Sequence, residues 1–239
     1  MWNCPAQGYG ACCAIYVSDC SSDNFQFNMT YIVNPGWPSE TNTPGTCVYT
    51  LNKASSDICR IRLDFVEATL AYPSTQGVCT TDYFTATQKT GPTMPPICGK
   101  NAGQHIYLDA AAYSDTSATF SAVLTGTSTG RKWKILVSHI QCSSLPLPPQ
   151  GCLQYLLGSI GSIKSFNYDT TSTYDHLSDQ DYMVCVRRES GHCKIGWSQS
   201  SDKDSFKLTR PASNYNGATG ANCASDTAII LEGKNQVRV

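Results

Sequence analysis

The sequence predicts an all-β fold, and three observations carry that prediction. Apolar residues alternate with polar ones over several stretches, prolines and glycines separate those stretches, and no helical pattern extends beyond about two turns. Ile61, Leu63 and Phe65 alternate with Arg60, Arg62 and Asp64, the period of a strand with one buried face. Ala118, Phe120, Ala122 and Leu124 repeat the pattern against Thr119, Ser121 and Val123, and "RKWKILVSHI" places Trp133, Ile135 and Val137 on one side. Turns between the strands fall at "NPGWP", "GPTMPP" and "TGTSTG".

Composition places these strands outside the cell. Charged residues are 15% of the 239, against roughly 25% in an average soluble protein, and Ser, Thr, Tyr, Asn and Gly take the polar positions instead. A formal charge of −1, with no cluster of either sign, supplies no field for a nucleic-acid backbone or an anionic membrane. No apolar run reaches the roughly 18 residues of a membrane span, and the first 30 residues lack the order of a signal peptide, as in a mature product or a fragment.

Thirteen cysteines, at 4, 12, 13, 20, 47, 59, 79, 98, 142, 152, 185, 193 and 223, argue for an oxidising compartment and a disulfide framework. Zinc is the competing use. The short pairs are Cys12 with Cys13, and Cys185 with Cys193 around His192; neither has the spacing of a tetrahedral knuckle. Asn28-Met29-Thr30 fits a glycosylation acceptor, in keeping with secretion. The odd count leaves at least one cysteine for an interchain bridge, a free thiol or sequence beyond this chain.

The order of cysteines then repeats. Cys20, Cys47, Cys59 and Cys79, with Asp82 three residues on, match Cys152, Cys185, Cys193 and Cys223, with Asp226 three residues on. The flanks agree in "CVYTL" against "CVRRE" and "CRI" against "CKI"; spacings of 27, 12 and 20 against 33, 8 and 30 differ as loop insertions would make them. The expected organisation is a cysteine-containing segment over 1–19, a first module over 20–142, a Pro-rich linker over 143–151 ("SSLPLPPQG"), and a second module over 152–239. That second module stops soon after the strand matching 82–87, so it is expected to be incomplete and the natural chain to extend past Val239.

The string "NPGWP", "CVYTL", "IRLDFVEATL", "CTTDYFTAT" and "PPICG" resembles the CUB domain over about residues 20 to 142, and 152 to 232 more faintly. The tandem form, with "CLQY", "IKSFNYD" and "QDYMVCVRRESGHC", is similar to CUB-containing secreted proteins of arthropods. The resemblance implies an extracellular antiparallel β-sandwich of the jelly-roll type, in two tandem copies. It also implies the pairs Cys20–Cys47, Cys79–Cys98, Cys59–Cys142 and, through the repeat, Cys152–Cys185. Cys4, Cys12, Cys13, Cys193 and Cys223 stay unassigned.

Many CUB domains hold calcium, which requires hard oxygen ligands. The resemblance places Asp82 as one ligand and Asp109 or Asp115 as another, making a candidate calcium site in the first module, but Ala71 stands where a Glu ligand is expected. The competing reading has Asp82 hydrogen-bonded at a turn. No cofactor is required by either reading.

Catalysis has little footing. His105, His139, His176 and His192 sit in no zinc-protease motif, and no serine lies in a nucleophile elbow. His139 shares the face of Trp133 and Val137, which predicts a hydrogen-bonded core histidine. Thirteen tyrosines and four tryptophans exceed the needs of two small cores, and Tyr31, Trp37, Tyr72, Tyr113, Tyr174 and Tyr215 lie in loop-like sequence. Trp37 and Tyr113 are the candidate binding residues. The expected function is non-enzymatic recognition or adhesion, through loops at the sandwich ends, with an extracellular protein or glycan as partner. Two alternatives are a self-associating subunit of a matrix or filament, and the non-catalytic part of a larger secreted protease.

Overall fold

The computed structural model describes residues 14–25, 27–89, 91, 93–110, 116–169, 176–201, 228–230 and 236–238. Every regular element among them is a strand. One five-stranded sheet contains β1 (Ile15–Val17), β3 (Thr30–Val33), β5 (Ile58–Thr69), β8 (His105–Asp109) and β10 (Lys132–Gln141), in the order β1-β3-β10-β5-β8. The second contains β2 (Ser21–Phe25), β4 (Gly45–Asn52), β6 (Asp82–Gln88), β7 (Met94–Ile97) and β9 (Thr116–Leu124), in the order β2-β4-β9-β6-β7.

The alternation in the sequence decides which side chains fill the space between these sheets. Ile61, Leu63 and Phe65 of β5, Phe120 and Ala122 of β9, and Trp133, Ile135 and Val137 of β10 are all buried in one cluster. Phe84 stacks 5.5 Å from Phe120 and meets Trp133 edge-on at 5.9 Å, the offset and T-shaped arrangements that aromatic quadrupoles favour. The fold is thus the all-β sandwich expected, with one departure in its edges. β1 runs parallel to β3 and β2 parallel to β4, whereas the other pairs within the two sheets are antiparallel. Residues 18–20 carry the chain from the edge of one sheet to the edge of the other, and the Cys20–Cys47 bridge fixes where it lands.

The later residues form β11 (Gln154–Leu156), β12 (Met183–Val186), β13 (Ile229–Ile230) and β14 (Gln236–Arg238), a sheet in the order β11-β12-β14-β13. They lie against the sandwich. Tyr107 N–H of β8 donates to Leu153 O at 2.7 Å, so β11 comes in beside the β8 edge. Leu153, Phe166, Leu177, Tyr182 and Val184 are buried in the same cluster as the sandwich core. Gly99 shows how close the approach is: its φ of +72° suits glycine, and a Cβ there would fall 1.9 Å from Asn167 Oδ1. Of the Pro-rich stretch 143–151, Pro148 is buried and Gly151 N–H donates to Asp109.

Candidate functional site

Asp82 and Asp109, two of the three residues singled out as calcium ligands, do not converge. Asp82 opens β6 and is fully buried against Arg131, whose Nε and Nη2 donate to its two carboxylate oxygens at 2.8 and 2.9 Å. This is the fork-to-fork geometry of a strong charge-assisted pair. Arg131 also donates to the carbonyls of Asn42, at 3.1 Å, and Gly126, while Ala71 offers Asp82 its backbone N–H at 3.3 Å where a carboxylate was expected.

Asp109 is held elsewhere. It lies on the other sheet and pairs with Arg60 Nε at 3.0 Å, and its own N–H donates to the Gln88 side chain at 2.6 Å. Gln88 closes β6, so the two aspartates meet opposite ends of a seven-residue strand, about 20 Å apart at the usual rise. One calcium ion needs its oxygens at about 2.5 Å. Asp82 and Asp109 therefore do not fit a shared calcium, and no group of three metal-ligating side chains occurs among the described residues. Asp115 and Tyr113 lie outside the described residues.

The reading of Asp82 as a hydrogen-bonded turn residue is closer, though its chief partner is a guanidinium and not the backbone of a turn. Arg131 stands just ahead of "KWKILV", two residues before the buried Trp133 and so in phase with it, yet nothing in the periodicity marks it as the counter-ion of a residue 49 positions earlier.

The structure pairs Cys20 with Cys47, Cys59 with Cys142, Cys79 with Cys98 and Cys152 with Cys185. Cys193 is exposed and unpaired, while Cys4, Cys12, Cys13 and Cys223 lie outside the described residues. Asn28 is exposed, and its Oδ1 accepts from the backbone N–H groups of Met29 and His139 at 2.9 and 2.8 Å.

His105 and His139 are both held away from the setting of a general base poised near neutrality. His105 Nε2 lies 3.1 Å from Tyr155 O and 3.2 Å from Tyr155 N, and burial, with the Arg62 charge, pushes its pKa down to about 4. His139 faces the core as expected, yet neither ring nitrogen has a hydrogen-bond partner among the described residues, and burial lowers its pKa. The small cavity by Asp109, lined by Gln88, Tyr107, Gly151 and Cys152, has room for about one water molecule.

What the fold does build is a polar outer face on the β1-β3-β10-β5-β8 sheet. Arg62 chelates Asp64, lies 5.3 Å over the Tyr107 ring and donates to its hydroxyl at 2.8 Å. Lys132 pairs with Glu67 at 2.8 Å. Lys134 instead has its ammonium 4.7, 4.9 and 5.4 Å from the ring centres of Tyr31, Trp37 and Tyr16. Tyr16 stacks on both other rings, each 5.2 Å away.

Trp37 thus belongs to a cluster, and its partners Tyr16 and Lys134 were missed by sequence reasoning. Tyr16 falls in the segment set apart as 1–19. Lys134 was legible only as the polar alternate of Trp133 and Ile135.

Residues 149–238 match the family model of the animal CUB domain. That stretch is therefore similar to a CUB domain, and the match falls on the part where the sequence resemblance was fainter. Comparison with curated proteins finds no match to the chain.

Proposed function

We propose that this is a secreted, non-enzymatic recognition protein whose partner is an extracellular protein or glycan. The observation that carries the reading is the CUB match, taken with four disulfides among the described residues. Such a framework persists only under oxidising conditions. The outer sheet face adds support, because aromatic rings and arginines are the side chains that most often anchor binding surfaces.

The test is to secrete the 239-residue chain from animal cells and measure its binding to a cell surface or matrix. Saturable binding that disulfide reduction abolishes is expected. Secretion into the endoplasmic reticulum with all cysteines reduced, or binding that survives unfolding, would sink the reading.

A self-associating form is favoured by one observation, the exposed unpaired Cys193. Gels run with and without reductant separate the two: an interchain dimer that a Cys193→Ser variant lacks supports assembly through that thiol. Calcium has no part in the proposal, since Arg131 already occupies the Asp82 carboxylate. A melting scan should show the same midpoint in chelator and in millimolar calcium; a raised midpoint would reveal binding to the folded state.

A further inference from the structure

We infer that Tyr16, Tyr31, Trp37 and Lys134 form a saccharide subsite that takes a sugar bearing one carboxylate. The inference rests on the recognition reading above and names the ligand chemistry of one surface. It begins with how the lysine is placed. β5 and β10 lose register between Lys134 and Ile135: Lys134 lies opposite Glu67 and Ile135 opposite Phe65, so Val66 is an extra residue on β5. Bulges of this kind re-aim side chains near binding sites. Glu67 stands opposite Lys134 in the ladder, yet it gives its carboxylate to Lys132.

The outer face then shows a count of charges. Arg60 is met by Asp109, Arg62 by Asp64 and Lys132 by Glu67, while Lys134 has no carboxylate partner among the described residues. Three rings within 5.4 Å hold its ammonium in place from the protein side. Cation–π attraction stabilises the charge without neutralising it, so the ammonium can still receive an anion.

The shape of the surface selects the ligand. Tyr31 comes from β3, Tyr16 sits beside it in register on β1, and Trp37 follows in the turn after β3. The three stacked rings are half-buried, and the apolar surface they leave to solvent can pack against the C–H face of a pyranose, whose hydroxyl groups tyrosine hydroxyls can bond. One unneutralised cation beside one aromatic platform matches one carboxylate on one sugar. A polysulfated chain would require several free cations in a row, and here the neighbours are already paired.

Titration of the full chain with 3′-sialyllactose, with lactose as the neutral control and a short polyglutamate peptide as the alternative ligand, tests this by NMR. The acidic sugar should shift the Trp37 indole and the amides of β1, β3 and β10. Lys134→Gln should weaken it by about fivefold, the upper end for one exposed charge pair, and leave lactose unchanged. Trp37→Ala should weaken both sugars, and Lys132→Gln should change neither.

Equal affinity for lactose and sialyllactose, tighter binding of the peptide, or no shift at millimolar sugar would each overturn the subsite. In the last case, retained binding of the same chain to a cell surface would leave the recognition reading standing. The Lys134→Gln variant, with a surface side chain changed and an unaltered melting midpoint as its control, keeps the test decisive if Trp37→Ala fails to fold.

Discussion

Asp82 and Arg131 are both fully buried, so each is a charge out of water that only the other neutralises. Removing one partner leaves the second stranded, which costs about 3–5 kcal/mol in comparable buried pairs. Arg131→Ala should therefore lower the urea midpoint sharply, whereas the double change Asp82→Leu with Arg131→Leu should recover much of that loss. A single variant as stable as the parent would show that water reaches the site. Arg131 also bonds the carbonyls of Asn42 and Gly126, so the recovery should be partial.

His105 and His139 make the fold less stable in acid. His105, with a folded pKa near 4 against an unfolded value of about 6.5, takes up its proton more readily in the unfolded chain between those values. Stability is unaffected above about pH 6.5, falls as pH drops through that window, and levels below the folded pKa. The loss from His105 is at most on the order of 3 kcal/mol, and His139, lowered by burial, shifts it in the same direction. Chemical denaturation from pH 7 to 4 should show the decline, and a His105→Gln variant should flatten it.

At the scale of strands, what was legible followed from period two. β5, β9 and β10 have alternating cores that read directly from "RIRLDF", "ATFSAVL" and "KWKILV", because a side chain facing a second sheet must be apolar for most of its length. The bulge at Val66 was not legible, since Val66 looks like a strand residue by type and is in fact half exposed. Parallel entry of β1 and β2 was hidden too, because it depends on which edge each strand reaches and not on its own residues.

The strands are also pinned in pairs. Cys59, on β5, and Cys142, just after β10, are 83 residues apart, which by chain entropy corresponds to about 4.5 kcal/mol, against about 3 kcal/mol for the 19-residue separation of Cys79 and Cys98. Replacing both cysteines of each pair with serine should therefore destabilise more at Cys59/Cys142 than at Cys79/Cys98, as read from urea midpoints. The reverse order would point to strain or residual unfolded structure as the larger effect.

Across the whole molecule, the later residues are not laid out at a distance from the sandwich. Asn167 accepts from Lys100 N–H at 3.1 Å and donates its own N–H to Asn101 Oδ1 at 2.9 Å, Gln104 Nε2 donates to the carbonyls of Lys164 and Ser165, and Ser178 N–H donates to Gly77 O. The cysteine repeat carried no sign of this, because contacts between side chains more than 60 residues apart leave no local period. Gly99→Ala puts a methyl where Asn167 Oδ1 stands and an alanine at positive φ. It should lower stability by about 1–3 kcal/mol and speed proteolytic cleavage within 157–182. A variant as resistant as the parent would mean that the segment holds without this contact.

The same molecule can be considered under load. Tension entering at the amino end meets Cys20 and crosses to Cys47; it reaches Cys59, crosses to Cys142, and crosses again from Cys152 to Cys185. Residues 21–46, 60–141 and 153–184 are bypassed, and with them most of β5 and all of β6 through β10. A protein pulled between a surface and a partner would therefore lengthen through its ends and short connecting stretches, while the packed aromatic core carries almost none of the force.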